Sequence, residues 1–559
     1  VLKTTDEGQT WSEISPDLTR NDPDKLQKTG GPINLDSIGA ETYCTVYAIA
    51  ESPQEAGVLW AGSDDGLVHL SKDGGANWEN VTPPDLPEWS MINMIELSPH
   101  DAATVYVAAA KYKLDDYTPY IYKSADYGQT WTLITNGIRE NDYVRAIRCD
   151  PNREGLLYAG TETGIYVSFD EGVNWQPFNL NLPVCPVYDL IIKDNDLIAG
   201  THGRAMWILD DITPLHQLMD QSTNPEAVRL LKPRDTTRLF PPLFYGWGGG
   251  APGKNYTAAF TEITTFTEEK TDENAVIRHY LDAGEDRPLG VTIGYHLPEA
   301  AADLKLEILD KAGQVIRTYT HKPAESEEMS AEQKEELKSK LYAPAKAGYN
   351  RLLWDMRYED GTKIKGKDMT ATRPLGPVAS LGQYKVRLTV GEEVQTHAFN
   401  ITADPRVDTP AADYEAQLAL LLQIRDKISE ANEAVNTLRD IREQIDGWLK
   451  RVTDEAVQSA GKALKEQLLE IEKPLIAPGV KTRSQALNEG TRLIEKLGSL
   501  QSYVASADFK PTAAGHEHFT FLSKLVDEQL AAYDTALGAQ VASFNQLVAK
   551  TGAAAVVIG

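Results

Sequence analysis

Four copies of one eight-residue phrase occupy the first third of the chain, and nothing else in the sequence limits its folding as tightly. The copies are residues 4–11 (TTDEGQTW), 71–78 (SKDGGANW), 124–131 (SADYGQTW) and 168–175 (SFDEGVNW). The shared pattern is Ser/Thr-x-Asp-x-Gly-x-Thr/Asn-Trp. An aspartate two residues before a glycine is turn chemistry: its carboxylate accepts backbone N–H groups, and glycine takes the positive-φ position. The closing tryptophan opens the next strand with a large apolar plate. Asp6 and Trp11, Asp73 and Trp78, Asp126 and Trp131, and Asp170 and Trp175 are therefore predicted to be structural pairs that close hairpins. A calcium loop needs several acidic ligands and a late bidentate glutamate. Each turn offers one aspartate, so no metal is expected.

The repeat is longer than the phrase. Residues 46–50, 58–62 and 67–70 read as short strands ahead of one copy, residues 91–97, 105–108 and 120–123 ahead of the next, and residues 144–149, 156–160 and 165–167 ahead of the last. A fourth unit starts at Val187 and ends near Asp210 without the phrase. Four short strands in every 40–50 residues predict β-propeller blades. The phrase joins the third strand to the fourth, so the loops from second to third strand gather at the opposite end. They join there with the connections between blades, which carry Glu41, Tyr43, Trp89 and Asp142. These loops place Asp64, Asp65, Lys113, Asp115, Glu162, His202 and Arg204 on one face. Converging charges beside aromatics on a rigid scaffold form a binding pattern; charged loops are equally what solvent exposure produces. His202 and Arg204, which flank Gly203, are the stronger candidates. Paired carboxylates at a suitable separation would serve glycoside hydrolysis. No serine-hydrolase, zinc or phosphate-loop motif is present, and no catalytic residue is assigned.

The composition shifts after Asp211. Residues 216–260 read as a linker or ordered loop, with a Gly-rich stretch around Trp247. Period-2 strands at 288–295, 304–310, 315–319, 348–355, 382–390 and 397–401 predict an immunoglobulin-like β-sandwich over 261–405, with a charged, solvated helix near 326–340. From residue 406 onward apolar residues recur with a period near 3.6, and helices at about 410–445, 453–473, 483–506 and 513–549 predict an α-helical bundle. His516 and His518 read as surface or capping residues, and the apolar tail 553–558 as a segment docking on the bundle or a partner. The predicted fold class is thus multidomain: all-β propeller blades, then the sandwich, then the bundle.

Acidic residues outnumber basic ones by 82 to 55, a net charge of −27, which argues against nucleic acid or an anionic membrane surface as partner. Three cysteines are too few for a disulfide framework. No stretch is apolar for long enough to span a bilayer.

The phrase itself resembles the Asp-box of BNR and sortilin-like propellers. Residues 15–22, 60–69, 112–116, 158–164 and 201–204 resemble large bacterial BNR/sortilin N-terminal-like proteins, which are often labelled glycosyl hydrolases. The resemblance implies that this chain is the C-terminal part of such a protein, with an N-terminal propeller portion still to be supplied. It implies no cofactor and an extracellular or periplasmic location, and leaves room for homo-oligomers through the bundle. The expected function is binding of a glycan or polypeptide on the loop face. The alternatives are a glycoside hydrolase using the same face, or a structural subunit of an envelope complex.

Overall fold

The computed structural model describes residues 1–27, 30, 43–220, 227–239, 253–258, 263–285, 287–366, 368 and 370–553. Glu41, Trp247 with its Gly-rich loop, and tail residues 554–558 lie outside them. The chain divides into two compact units, Val1–Thr223 and Asn224–Gly559.

The first unit is a run of antiparallel sheets with meander order. A two-stranded hairpin (Leu2–Lys3, Ser12–Glu13) precedes three four-stranded sheets. The first sheet comprises Val46–Glu51, Leu59–Ser63, Val68–Ser71 and Glu79–Asn80. The second comprises Met91–Leu97, Val105–Lys111, Asp116–Ser124 and Thr132–Leu133, and the third Val144–Cys149, Leu157–Thr161, Ile165–Ser168 and Gln176–Pro177. A fourth sheet has three strands, Val187–Lys193, Asp196–Thr201 and Met206–Leu209. Apolar residues of neighbouring sheets share cores, with Trp60, Ile92 and Val107 between the first and second and Ile121, Ile147 and Trp175 between the second and third. The second strand of the second sheet is buried on both faces, as its unbroken VYVAAA run requires.

The repeated phrase forms the turn between the third and fourth strands of the three four-stranded sheets, and its first copy the turn of the two-stranded hairpin, in one geometry. In the copy at 124–131, the Ser124 hydroxyl donates to Asp126 Oδ1 at 2.8 Å and accepts the Gly128 N–H at 2.8 Å. The Thr130 N–H and hydroxyl donate to the two Asp126 carboxylate oxygens at 2.9 and 2.6 Å. The tryptophan reaches further than the sequence predicts. Trp78, Trp131 and Trp175 donate their indole N–H to the carbonyls of Ile14, Val81 and Ile134, at 2.9, 2.8 and 2.7 Å. Each acceptor follows the last strand of the preceding sheet, so the phrase bonds one sheet to the next. Its glycine is also fixed by packing: at Gly128 φ is +81° and a Cβ would stand 2.8 Å from Val81. Trp11, in the first copy, is 59% exposed and donates only to Gly8 within its own turn.

The second unit pairs two sheets around Tyr295, Trp354, Tyr384, Phe399, Leu306 and Val386. One comprises Arg229–Leu230, Val291–Leu297 and Gly348–Trp354; the other Thr236–Arg238, Glu393–Ala403, Gly382–Val390, Lys305–Leu309 and Val315–Thr320. Residues 229–230 and 236–238, expected within a linker, are strands of these sheets. A small third sheet (Lys254–Ala258, Ile263–Lys270, Val276–Tyr280) was not anticipated. The charged helix is shorter than expected, Ala331–Ser339, and is anchored rather than merely solvated. It starts with a capping box at Ser330 and Gln333 and buries Leu337. The C-terminal helices are Ala411–Arg451, Glu455–Leu475, Arg483–Glu489, Leu493–Val504, Ala513–Thr535 and Ala542–Lys550. The expected helix at 483–506 is interrupted at Gly490 (φ +70°), and a π-helical turn, Ala536–Val541, joins the last two helices. Glu472 is fully buried between Arg439 and Arg442. Among the described residues no helix is long and apolar enough to cross a membrane, and no group of three or more His, Cys, Asp or Glu is placed to hold a metal.

Candidate functional site

The first strand of each of the four sheets contains one register break, at the same place. The breaks fall between Val46 and Ala48, Ile92 and Met94, Val144 and Ala146, and Val187 and Asp189. The residues set out of register are Tyr47, Asn93, Arg145 and Tyr188. A bulge re-aims one side chain without ending the strand, and here it does so near the strand end that the inter-sheet connections reach. Asn93 Nδ2 donates to the Val144 carbonyl at 2.8 Å. Arg145 and Tyr188 are central to a larger cluster.

Arg145 is only 7% exposed. Its guanidinium carbon lies 5.0 Å from the ring centre of Tyr112, 4.9 Å from Tyr143 and 4.0 Å from Tyr188. Tyr112 and Tyr143 stack at 4.8 Å and 14°. Tyr117 lies 6.1 Å from Tyr143, and His202 lies 5.0 Å from Tyr188. Arg145 Nε donates to Glu162 at 2.7 Å and Nη2 to the Tyr143 hydroxyl at 2.7 Å. The result is a column of rings around one arginine, built from the second, third and fourth sheets. Cation–π contacts of this kind gain strength when the cation is shielded from water. Burial alone would lower the Arg145 pKa, but the hydrogen bond and charge of Glu162 outweigh it and raise it. Burial, with the neighbouring Glu162, pushes the Tyr143 phenol well above its usual range.

The loop Tyr112–Leu114, a 3₁₀ turn, carries the edge of this column. It is closed by Asp115 at φ +59°, whose N–H donates to the Tyr112 carbonyl at 3.2 Å. Asp116 then accepts from the Thr118 N–H at 3.0 Å and the Tyr120 hydroxyl at 2.8 Å. Asp64, half-buried, accepts the Thr45 N–H at 2.8 Å. Burial, followed by repulsion from Asp65, holds its carboxyl above the usual range, against the pull of the Thr45 and Cys44 N–H groups and the Lys113 charge. Burial and the Asp64 charge likewise raise the Tyr43 phenol.

The seven residues singled out from sequence therefore have different surroundings. Glu162 is the counter-ion of the column, and His202 stacks on Tyr188 at its end. Asp64 and Lys113 interact with each other beside the loop, and Asp115 forms the exposed loop tip. Asp65 is fully buried: it accepts the Ser63 hydroxyl and the Arg20 N–H, the latter at 2.7 Å. Arg204 is exposed, with its guanidinium on the Gly203 carbonyl at 2.9 Å. Asp142, also buried, accepts from Thr163, Tyr166 and Arg139. Sequence reasoning missed Arg145, Tyr143, Tyr188 and Tyr112. For Arg145 and Tyr188 the available signal was a polar or aromatic residue directly after the valine that opens the strand; Tyr112 and Tyr143 lie outside the opening strands and had no such signal.

No protein-family model matches the chain, and no curated protein matches it. Solved structures do match, loosely, and are β-propeller-like proteins. An ancestral GH74 enzyme is 14% identical over 52% of this chain and 34% of its own, with TM-score 0.23. YCF48 bound to D1 peptide is 15% identical over 47% of this chain and 78% of its own, with TM-score 0.23. The extracellular domain of a hybrid two-component system from B. thetaiotaomicron is 12% identical over 63% and 48%, with TM-score 0.23. This chain thus spans about a third of the enzyme's length. At such scores the likeness carries no argument about ligand or activity.

Proposed function

We propose that the first unit is a set of Asp-box β-propeller blades whose loop face, opposite the Asp-boxes, is a recognition site for a glycan or polypeptide. In the same reading the second unit combines an immunoglobulin-like sandwich and a helical bundle as supporting modules. The observation that carries the proposal is the ring column around Arg145. It is assembled from three sheets, its charge is compensated internally by Glu162, and Tyr117 and Tyr188 remain 45% and 42% exposed at its surface. Rigid, partly exposed aromatics on a preorganised scaffold are the residue type that dominates binding energy in interfaces.

A glycoside hydrolase on the same face is the second reading, favoured by one observation: burial raises the Asp64 pKa in the sense a general acid needs. Glu162 is tied to Arg145 and Asp65 is buried on Ser63 and Arg20, which leaves Asp115, exposed at the loop tip, as the other carboxylate of the set.

Replacing Tyr188, His202 and Arg204 together with alanine tests the binding reading. Binding to an arrayed panel of oligosaccharides and peptides should be lost while the melting temperature stays close to that of the parent. Retained binding would remove this face as the site. Hydrolysis of any panel glycan that disappears in Asp64→Asn would favour the enzyme.

A further inference from the structure

We infer that the long helix Ala411–Arg451 carries a groove that binds an extended polypeptide segment by its backbone, and that residues 359–365 are its resident occupant, closing it to a segment of another protein. The inference concerns the second unit alone and does not depend on the loop face. Between the strands Gly348–Trp354 and Gly382–Val390 the chain leaves the sheets and crosses this helix. Four helix side chains, spaced by four, three and four residues and so on one face, meet main-chain atoms there. Arg425 Nη1 donates to the Glu359 carbonyl at 3.0 Å, and the Ser429 hydroxyl accepts the Thr362 N–H at 2.8 Å. Asn432 Nδ2 donates to the Thr362 carbonyl at 2.7 Å. Asn436 does both, donating to the Lys363 carbonyl at 2.8 Å and accepting the Lys365 N–H at 2.9 Å, as a neighbouring strand would. The backbone comes this close because residue 361 is glycine; a Cβ there would collide with the Ser429 hydroxyl.

Contacts of this kind give affinity for an extended chain, and a pocket for one side chain gives selectivity. The pocket takes Ile364, which is 8% exposed and joins the apolar cluster of Ile428, Val435 and Ile494. The Lys365–Asp440 pair lies half exposed at the edge, where an ion pair adds little. The partner is therefore an extended segment with an aliphatic residue at the place of Ile364. Two features mark the resident as replaceable. Asn432 is fully buried, yet its Oδ1 accepts no hydrogen bond, while both amide atoms of Asn436, one turn on, are used. A buried acceptor left open costs stability. Where stability is the only gain, an apolar residue serves better at such a place; a segment that presents an N–H to Asn432 fits more completely than the resident does. The second feature is Gly366, directly beyond the last bonded residue, at φ +79° with open space where a Cβ would stand. A glycine so placed absorbs backbone rotation at little cost and lets the segment swing out while the sheets stay in place.

The test uses the whole chain and a fluorescein-labelled synthetic peptide with the sequence of residues 358–366, YEDGTKIKG. Thr362→Pro with Ile364→Asp removes one main-chain donor and the apolar anchor of the resident and leaves every helix side chain unchanged. By fluorescence anisotropy the peptide should bind this released variant at least tenfold more tightly than the parent. A scrambled peptide, and one N-methylated at the lysine that corresponds to Lys365, should bind at least tenfold more weakly. Adding Asn436→Ala to the released variant should abolish binding. A released variant that is folded by circular dichroism and binds the peptide no better than the parent overturns the proposal. Hydrogen exchange on the parent decides the matter if the variant does not fold. The Thr362 and Lys365 amides should exchange at least tenfold faster than those of the central strand Gly382–Val390, through local opening. Exchange only together with that strand would mean that the segment leaves the helix on global unfolding alone, which overturns the proposal as well.

Discussion

Arg145 shows how much one bulged residue can organise. Had the strand Val144–Cys149 kept its register, position 145 would follow the ordinary alternation of a strand packed between two sheets, where an unpaired guanidinium is too costly to place. The bulge turns it toward Tyr112, Tyr143 and Tyr188, and Glu162 supplies the counter-charge. The pair is asymmetric: Arg145 is 7% exposed and Glu162 34%. Removing the glutamate's charge leaves a shielded cation held by the Tyr143 hydroxyl and the rings alone. Glu162→Gln should therefore destabilise the chain by about 2 kcal/mol, the scale of a lost charge-assisted bond with a buried partner. Arg145→Met, which removes both the charge and the need for a counter-charge, should cost less. Thermal unfolding of the two variants checks this, and equal losses would mean that Glu162 acts by packing alone. In the sequence the one mark of this is the place of Arg145 directly after Val144, in a strand that also carries Arg148, and its ring partners Tyr112 and Tyr143 leave no mark. Asp64 and Glu162 could be assigned to equivalent loops because loop positions follow from the repeat. Their environments could not, because those depend on which strands bulge.

At the scale of the element, the repeated turn was legible in full and its reach was not. The spacing of serine, aspartate and glycine encodes hydrogen bonds within eight residues, so reading it needs no tertiary information. The indole bonds from Trp78, Trp131 and Trp175 to Ile14, Val81 and Ile134 span 41 to 64 residues, and local pattern carries no record of them. Strands of two or three residues, such as 229–230 and 236–238, were missed because they are too short to show a period. The break at Gly490 was missed because apolar spacing continues across it. The turn also makes a pH-dependent element. Hydrogen bonds from Thr10 lower the Asp6 pKa to about 2, and bonds from Asn77 and Thr130 lower those of Asp73 and Asp126. At Asp170 burial works the other way, but bonds from Asn174 and Ser168 prevail. A carboxylate whose folded pKa lies below its unfolded value stabilises the fold above the unfolded pKa, and that contribution is lost as pH falls through the folded one. The turns should therefore hold at neutral pH and weaken together below about pH 4. Tryptophan fluorescence followed from pH 7 to 2 should shift in that window, and Asp126→Asn should reduce the pH dependence by removing one of the titrating groups. A transition centred near neutrality would place the acid sensitivity elsewhere.

At the scale of the whole molecule, the first unit leaves apolar surface at both ends of its run of sheets. On the first sheet Tyr47 and Ile49 are each 57% exposed. On the fourth, Ile191, Ile208 and Met206 are 51%, 58% and 77% exposed, and the register aligns Ile191, Ile198 and Ile208 across its three strands. Between these ends the same kind of face is covered by the neighbouring sheet: Trp60 packs toward Ile92, and Ala146 toward Val187 and Leu190. The exposed indole of Trp11 fits the same rule, because its counterparts each bond to the sheet before them. Repeating sheets that bury each other's faces need a cover at both ends. A cover that would satisfy these faces is an apolar face of the same kind on another copy of the chain. Placing a lysine in each open face, as Ile49→Lys with Ile208→Lys, should leave the folded core intact, since neither side chain is buried. In sedimentation velocity the parent chain should associate with rising concentration and the double variant should not, because two charges in these faces must be desolvated on contact. If parent and variant sediment alike at every concentration, these faces are not contact surfaces, and the exposed isoleucines are a tolerated feature of the end sheets.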